Sequence, residues 1–320
     1  MLKITPELPK YIKSHYKEWI PFRHYLEKHD LKSLKDGRIV KASYLLDKLF
    51  PFISFFLKAS GLYKKGIKNA KDIKVRSLDL SYPDLPEGFN GFKILHLTDL
   101  HLDVLPDLDQ IIADKIRPLK YDICFITGDY RKENHGNYDH VIPMLEKVFN
   151  AINAEFGTYA ILGNHDSHQM IDDLEKLGLE TLVNESVVIE RNGEEIVLTG
   201  VDDPNSFYSN KIVDALNNSN GQFKVLLAHS PEIAKLASVN NYRLYLAGHT
   251  HGGQICLPWG KPFVTHLNFE KDKFRGKWQD QNMVGYTSSG AGLSGLPLRY
   301  YTRGEVTLIT LSRDNKIQSE

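Results

Sequence analysis

Between residues 92 and 251, five short apolar runs each end on aspartate, asparagine or histidine. "FKILHLT" leads into Asp99-Leu100-His101, and "YDICFIT" into Gly128-Asp129. "TYAIL" leads into Gly163-Asn164-His165-Asp166, "KVLLA" into His229, and "LYLA" into Gly248-His249-Thr250-His251. Runs of this length, bounded by turn residues, read as strands. Amphipathic helical patterns fall between them at about 107–118, 138–152, 167–178, 210–218 and 231–238. Strand alternating with helix restricts such a chain to α/β or α+β layering. Further strands are expected over 73–82, 284–290 and 305–311, with a hairpin over 186–200 turning at Asn192-Gly193.

Each strand end alone says little. A single Asp-x-His is more often a turn or cap, Gly-Asp is ordinarily a turn, and an isolated histidine is often a satisfied core residue. Five in succession, at the ends where open sheets take their ligands, point to a metal site. Asp, Asn and His without thiolate are ligands for hard or borderline divalent ions. In extended backbone, residues i and i+2 share a side, so Asp99 can reach one site with His101, and His249 with His251. The neighbouring glycines let the chain turn sharply there.

The ordered set D-x-H, G-D, G-N-H-[DE], H and G-H-x-H resembles the calcineurin-like metallophosphoesterases, over roughly residues 92–252. The resemblance implies an α+β fold of four layers (αββα). Two mixed sheets would pack face to face between helices, as a domain over residues 73–320 with a helical extension over 1–72. It implies two metal ions. Asp99, His101, Asp129 and His251 would hold the first, and Asp129, Asn164, His229 and His249 the second, with Asp129 as the bridge. His165 would be the catalytic histidine and Asp166 its orienting partner. The implied reaction is hydrolysis of a phosphodiester or pyrophosphate by metal-hydroxide attack. Two divalent cations against the carboxylates of Asp99 and Asp129 leave such a site positive, as a phosphate requires. Mn2+ is the expected ion, with Fe, Zn2+ or Mg2+ as alternatives.

"GVDDP", "LLAHSPE" and "LAGHTHGGQICLP" are similar to the bacterial branch of membrane-associated phosphodiesterases. That branch includes the UDP-2,3-diacylglucosamine pyrophosphatases of lipid A synthesis, so a lipid-linked phosphoester is the expected substrate. Gly304 stands where that branch has proline, and the transmembrane segment common at its N-terminus is not seen here. Arg131 and Arg299 are the candidate substrate contacts, with Lys132 beside the first. Asp202 and Asp203 either line the cleft or form a turn.

The formal net charge of zero hides an asymmetry. Residues 1–78 carry 18 Lys/Arg against 7 Asp/Glu, a net of +11, and the remainder carries −11. The first 70 or so residues read as helical, with no strand pattern. "LLDKLFPFISFFL" over 45–57 places Leu45, Leu46, Leu49, Phe50, Phe52, Ile53, Phe56 and Leu57 on one broad face, next to Lys58, Lys64, Lys65 and Lys68. Pro51 kinks it or starts a new helix, and Ser60-Gly61 ends it. This segment packs on the body or lies in an anionic membrane interface. It is too short to span a bilayer, which takes about 20 apolar residues. The expected location is cytoplasmic, peripheral to the inner face of the membrane. Cys124 and Cys256 read as inert buried thiols. No nucleic-acid partner is expected. Two other readings stay open: a phosphodiesterase of soluble nucleotides or cyclic nucleotides, and a non-catalytic scaffold.

Overall fold

The computed structural model describes residues 16–42 and 50–314. It opens with helix α1 (Tyr16–His29), the short strands β1 (Leu31–Ser33) and β2 (Ile39–Lys41), and helices α2 (Phe50–Ala59) and α3 (Leu62–Lys71). Next come β3 (Lys74–Tyr82), β4 (Lys93–Leu97), α4 (Leu108–Ile116), β5 (Ile123–Ile126), α5 (Ile142–Phe149), β6 (Thr158–Ala160), α6 (Ile171–Lys176) and β7 (Glu180–Thr181). The second half holds β8 (Glu185–Arg191), β9 (Glu194–Gly200), α7 (Asn210–Asn218), β10 (Lys224–Leu227), α8 (Ala234–Val239) and β11 (Leu244–Ala247). Strands β12 (Gly276–Asp280), β13 (Met283–Thr287) and β14 (Glu305–Arg313) complete it.

Two six-stranded sheets form, in the orders β3-β14-β4-β5-β6-β7 and β12-β13-β11-β10-β9-β8. Both are mixed. Strands β4, β5 and β6 run parallel, as do β9, β10, β11 and β13, whereas β14 opposes β4 and β12 opposes β13. The period-two alternation of side chains then sets the layers. Ile94, Ile123 and Phe125 of the first sheet share one core with Val225, Leu227, Leu244 and Leu246 of the second. The alternate residues Leu95, Leu97, Cys124 and Ile126 face the layer built from α4, α5, α6 and α1. On the far side Leu226, Tyr245 and Ala247 face α7 and α8. Each fully buried Leu, Ile, Val or Phe contributes roughly 2 kcal/mol, so these three clusters hold the αββα stack together. The layered α+β architecture is the expected one, and the hairpin turns at Asn192-Gly193, both at positive φ.

Strand β12 falls outside the expected pattern because "GKWQD" has no apolar run. It is an antiparallel edge strand, half-exposed along its length. The N-terminal segment corrects a second expectation, since it is not helical throughout. β1 and β2 form a hairpin whose three-residue strands are too short for any periodicity to register. Its Ser33 amide donates to the Ser206 carbonyl (2.8 Å), and the Tyr208 amide donates to the Ser33 carbonyl (3.0 Å). Helix α1 packs inward, with Tyr16, Trp19 and Ile20 in the same core as α4, α5 and α6.

Among the described residues helix α2 includes Pro51 and stops before Gly61 (φ 72°), the end that the sequence predicts. None of its ten residues is buried, and Phe52, Ile53, Phe55 and Phe56 are exposed. Leu45, Leu46 and Leu49 lie outside the described residues. Among the described residues no helix is long and apolar enough to cross a membrane. Cys124 and Cys256 are free and buried.

Candidate metal centre

The carboxyl ends of β4, β5 and β6 meet those of β10 and β11 at one edge of the sandwich. The chain leaves these strands through left-handed backbone. Asp99 (φ 50°), His101 (φ 38°), Asp129 (φ 61°), His249 (φ 71°) and His251 (φ 50°) all sit there without being glycine. This corrects the extended geometry inferred from the i, i+2 spacing: tight turns, not strand alternation, aim the paired side chains. Such conformations cost roughly 1–3 kcal/mol each and persist only where surrounding bonds dictate them. Here the Asp99 amide donates to the Gly128 carbonyl (2.9 Å), and the His101 amide donates to the Asp129 carbonyl (3.1 Å).

The side chains converge on two buried carboxylates. His229 Nε2 lies 3.2 Å from Asp129 Oδ2 and His101 Nε2 lies 3.4 Å from it. His251 Nε2 is 3.5 Å from Asp99 Oδ1. The opposite ring nitrogens are tied down: His101 Nδ1 meets the Arg131 carbonyl (2.6 Å) and His229 Nδ1 the Thr127 carbonyl (2.7 Å). That fixes the tautomer that turns a bare Nε2 inward, the usual outer support of a metal-binding histidine. His249 Nδ1 stands 2.8 Å from Asn164 Oδ1, beside the same centre. His101 Nε2, His229 Nε2 and His251 Nδ1 are buried and make no hydrogen bond. Buried polar atoms are nearly always paired, so the bare Nε2 atoms of His101 and His229 beside the Asp129 carboxylate fit a bound cation. Asp99, His101 and His251 offer atoms within 4.8 Å of one another, and so do Asp99, Asp129 and His229.

Proton affinities follow the same crowding. Burial pushes Asp99 up to about 6, with Asp129 adding to the effect against His229. Burial also works against the Asp129 charge, but His229, His165 and His101 outweigh it and hold that carboxyl well below the usual range. Burial drives His249 and His251 well down, and His229 rises on its contacts with Asp129 and Asp99 although burial opposes it. A divalent cation would replace these contested protons with fixed charge.

Two glycines make the crowding possible. A Cβ on Gly163 would lie 2.2 Å from Asp129 Oδ1, and one on Gly248 2.2 Å from Asp99 Oδ2. Neither position tolerates a side chain while the carboxylates stay in place.

The model of the family described as "Calcineurin-like phosphoesterase" matches residues 92–253, half of the chain and every strand end above. The chain belongs to the calcineurin-like phosphoesterases. It is 33% identical over 255 residues to the uncharacterized metallophosphoesterase YkuE of Bacillus subtilis, covering 72% of this chain and 82% of that protein. It is 30% identical over 275 residues to YkoQ of the same organism, covering 80% and 94%. Among solved structures it is similar to the calcineurin-like phosphoesterase YfkN from Bacillus subtilis, at 16% identity and a TM-score of 0.40, over 63% of this chain and 82% of that one.

In this phosphoesterase the loop after β6 divides its work differently from expectation. His165 reaches the cavity, and its Nδ1 hydrogen-bonds the carbonyl of Lys132. Burial draws its ring down to about 3, against the pull of Asp129. Asp166 does not touch that ring. Its carboxylate accepts the amides of Asp129 (2.7 Å), Gly163 (2.7 Å) and Tyr130 (2.9 Å), stapling the two ligand loops together. The contact that holds the His165 ring in this structure is the Lys132 carbonyl.

Arg131 and Arg299, the expected substrate contacts, have their guanidinium groups engaged by backbone carbonyls. Arg131 is buried and donates to the carbonyls of His165 (2.8 Å), Gly136 (2.8 Å) and Asn134 (3.1 Å). Arg299 is fully buried and donates to the carbonyls of His251 (2.9 Å), Ser289 (2.6 Å) and Gly292 (2.9 Å). Burial brings its guanidinium down to about 10. Left-handed loops leave carbonyls facing inward without partners, and a guanidinium with five donors satisfies several at once. Asp202 and Asp203 are buried turn residues: Asp203 accepts the amides of Asn205 (3.1 Å) and Ser206 (2.9 Å).

A cavity of about 510 Å³ opens over the centre, lined by Asp129, Asn164, His165, His249 and His251. Its rim is Lys32 from β1, Phe50 from α2, Lys132, His135 and His266. Of these Lys132 stood out in the sequence beside Asp129, and Phe50 as part of the apolar 45–57 face. Lys32 and His266 follow no strand end and belong to no spaced motif, so nothing local marks them.

Proposed function

We propose that this chain is a two-metal hydrolase that cleaves a phosphodiester or pyrophosphate bond in a membrane-derived lipid, of the kind represented by UDP-2,3-diacylglucosamine. The reading assigns Asp99, His101, Asp129 and His251 to one ion and Asp129, Asn164, His229 and His249 to the other, with Asp129 shared. The observation that carries it is the pair of buried, unbonded imidazole nitrogens, His101 Nε2 and His229 Nε2, beside the Asp129 carboxylate that lines the cavity. Two divalent cations, when bound, neutralise phosphoryl charge and lower the pKa of water from ~15.7 toward ~7. Mn2+ is the first ion to try.

The protein's own groups do the rest. With Nδ1 held by the Lys132 carbonyl, His165 presents Nε2 to the cavity and carries a proton to or from the oxygen of the scissile bond. Lys132 and Lys32 on the rim attract the anionic substrate. Asp166 keeps the β5 and β6 loops in register, so the bridging carboxylate and His165 move as one unit.

The lipid part rests on what surrounds the cavity mouth. Phe50 lines it, and α2 carries Phe52, Ile53, Phe55 and Phe56 outward into solvent. Helix α3 adds exposed Leu62 beside Lys64, Lys65 and Lys68. α3 is bound to the 296–301 segment, where Tyr300 Oη donates to the Leu62 carbonyl and Gly66 fits beneath Leu298 and Tyr300. That segment is linked to the 254–264 loop by the Ile255–Tyr300 bridge, and the loop exposes Trp259, Phe263 and Val264. Aromatic side chains with lysines behind them are the composition of an interfacial membrane contact. The protein is read as peripheral to an anionic bilayer, from which acyl chains reach the cavity past Phe50.

The test is a comparative assay with Mn2+ on UDP-2,3-diacylglucosamine, other lipid phosphodiesters, nucleotides and cyclic nucleotides, with and without detergent micelles. Preference for a lipid substrate and activation by micelles are expected. Equal or faster turnover of soluble nucleotides, unaffected by micelles, would replace this reading with the soluble-substrate one.

A further inference from the structure

Helix α1 sends one fully buried cation into the catalytic centre. Arg23 has no exposed surface, and all three of its guanidinium nitrogens are engaged. Nη2 donates to the carbonyls of Gly163 (3.0 Å) and Asp166 (2.6 Å), and Nε donates to Glu27 Oε1 (2.8 Å). Nη1 donates to Asp202 Oδ1, and the group lies over the Phe207 ring at 3.3 Å. Asp202 also accepts from Trp19 Nε1 (2.6 Å). Glu27 in turn accepts from the His168 amide (3.0 Å), His168 Nδ1 (2.8 Å) and Ser167 Oγ (3.1 Å). Asp202 and Phe207 follow β9 of the second sheet, whereas Gly163 to His168 follow β6 of the first. One side chain therefore ties the two sheets together where they meet at the site.

The geometry of its bonds is more specific than helix docking requires. Burying a guanidinium costs several kcal/mol, and an apolar residue would pack the helix without that cost. Two of the bonds end on carbonyls that bracket the pair Asn164-His165. Those are the residues read above as a metal ligand and the proton carrier. Only a planar fork reaches two carbonyls and two carboxylates at once, and a lysine in its place has a single nitrogen.

We infer that Arg23 is a positioning residue of the phosphoesterase centre, which holds the 163–166 loop so that Asn164 and His165 face the cavity. This rests on the hydrolase reading, and it makes the N-terminal helix part of the active centre rather than an appendage to it.

The experiment compares the full chain with its Arg23→Lys and Arg23→Ala variants. Circular dichroism and thermal unfolding report folding, Mn2+ calorimetry reports metal binding, and kinetics on bis-p-nitrophenyl phosphate report turnover. Displacement of reacting groups by about 1 Å costs about 100-fold, so kcat in both variants should fall by that order with KM nearly unchanged. The weaker of the two Mn2+ equivalents should lose at least about tenfold in affinity, as expected when the support of a ligand is removed. Guanidinium ion added to Arg23→Ala should restore part of both losses, and should do nothing to a surface control such as Arg117→Ala. Folded Arg23→Lys with wild-type kcat and Mn2+ affinity would overturn the inference. So would failure of both variants to fold, which would assign Arg23 to stability alone. A wild-type protein that binds two Mn2+ without hydrolysing the ester would instead strike the hydrolase reading, and the calorimetric arm would still decide the role of Arg23.

Discussion

At the residue scale, the bare nitrogens of His101, His229 and His251 and the clashes awaiting a Cβ at Gly163 and Gly248 describe one constraint. Donor atoms have been crowded closer than protons alone make comfortable. Gly248→Ala should fold, because its backbone is not left-handed, yet displace the side chains of Thr98 and Asp99. At least tenfold weaker Mn2+ binding is expected by calorimetry, and unchanged binding would show that the carboxylate is not a ligand. His165→Ala should lower turnover of bis-p-nitrophenyl phosphate by about 10²–10⁴-fold while metal content stays near two per chain. Intact turnover would remove His165 from the mechanism. Glu27 gives a pH prediction. Burial raises its pKa, but His168 and Arg23 outweigh that and bring it from the ordinary 4.5 to about 2. A carboxyl lowered in the folded state adds stability that is complete above about pH 4.5 and fades as pH falls toward 2. That shift corresponds to about 3 kcal/mol. In urea unfolding, Glu27→Gln should be less stable than the parent at pH 7, with the gap narrowing by pH 3. A gap that does not change with pH would mean the charge contributes nothing.

At the scale of elements, the strands and helices of the body were largely legible because each carries its own periodicity. β4, β5, β10 and β11 are short apolar runs, and α7 spans the very residues its amphipathic pattern marks. The elements that escaped notice were those whose pairing is decided elsewhere. β12 is polar and forms only against β13, and the β1–β2 hairpin is held by the chain after β9. Helix α2 is the reverse case, a strong apolar pattern that the body does not cover. Phe55→Asp together with Phe56→Asp should cut sedimentation with anionic liposomes by at least tenfold, with hydrolysis of bis-p-nitrophenyl phosphate unchanged. Binding that survives the double substitution would leave α2 without a membrane role.

At the scale of the whole molecule, the two sheets are the frame and the centre is their seam. The candidate ligands arrive from β4, β5 and β6 on one side and β10 and β11 on the other, so a metal bound there should brace the sandwich. A site filled at a hundred times its dissociation constant adds about 2.7 kcal/mol, which for a chain of this size means several degrees in melting temperature. Removing metal with EDTA should lower the Tm by that much, and Mn2+ should restore it. A Tm indifferent to both would mean that the centre does not bind metal.

Residue type and local spacing determined the layered class and the Asp, Asn and His strand ends, and the resemblance those motifs carry supplied the set of seven ligand candidates with His165. These are encoded within a few residues of one another, where periodicity and turn chemistry act. The tertiary structure alone decided what Arg23, Asp166, Arg131 and Arg299 do. It brought the carbonyls of Gly163, Asp166, His165, Gly136, Asn134, His251, Ser289 and Gly292 to these three guanidinium groups, several of them far from the arginine in sequence. Arginines beside a metal motif look like phosphate contacts in a sequence, but a buried carbonyl without a donor costs about 1–3 kcal/mol. Which donor meets it depends on chain segments that only folding brings together.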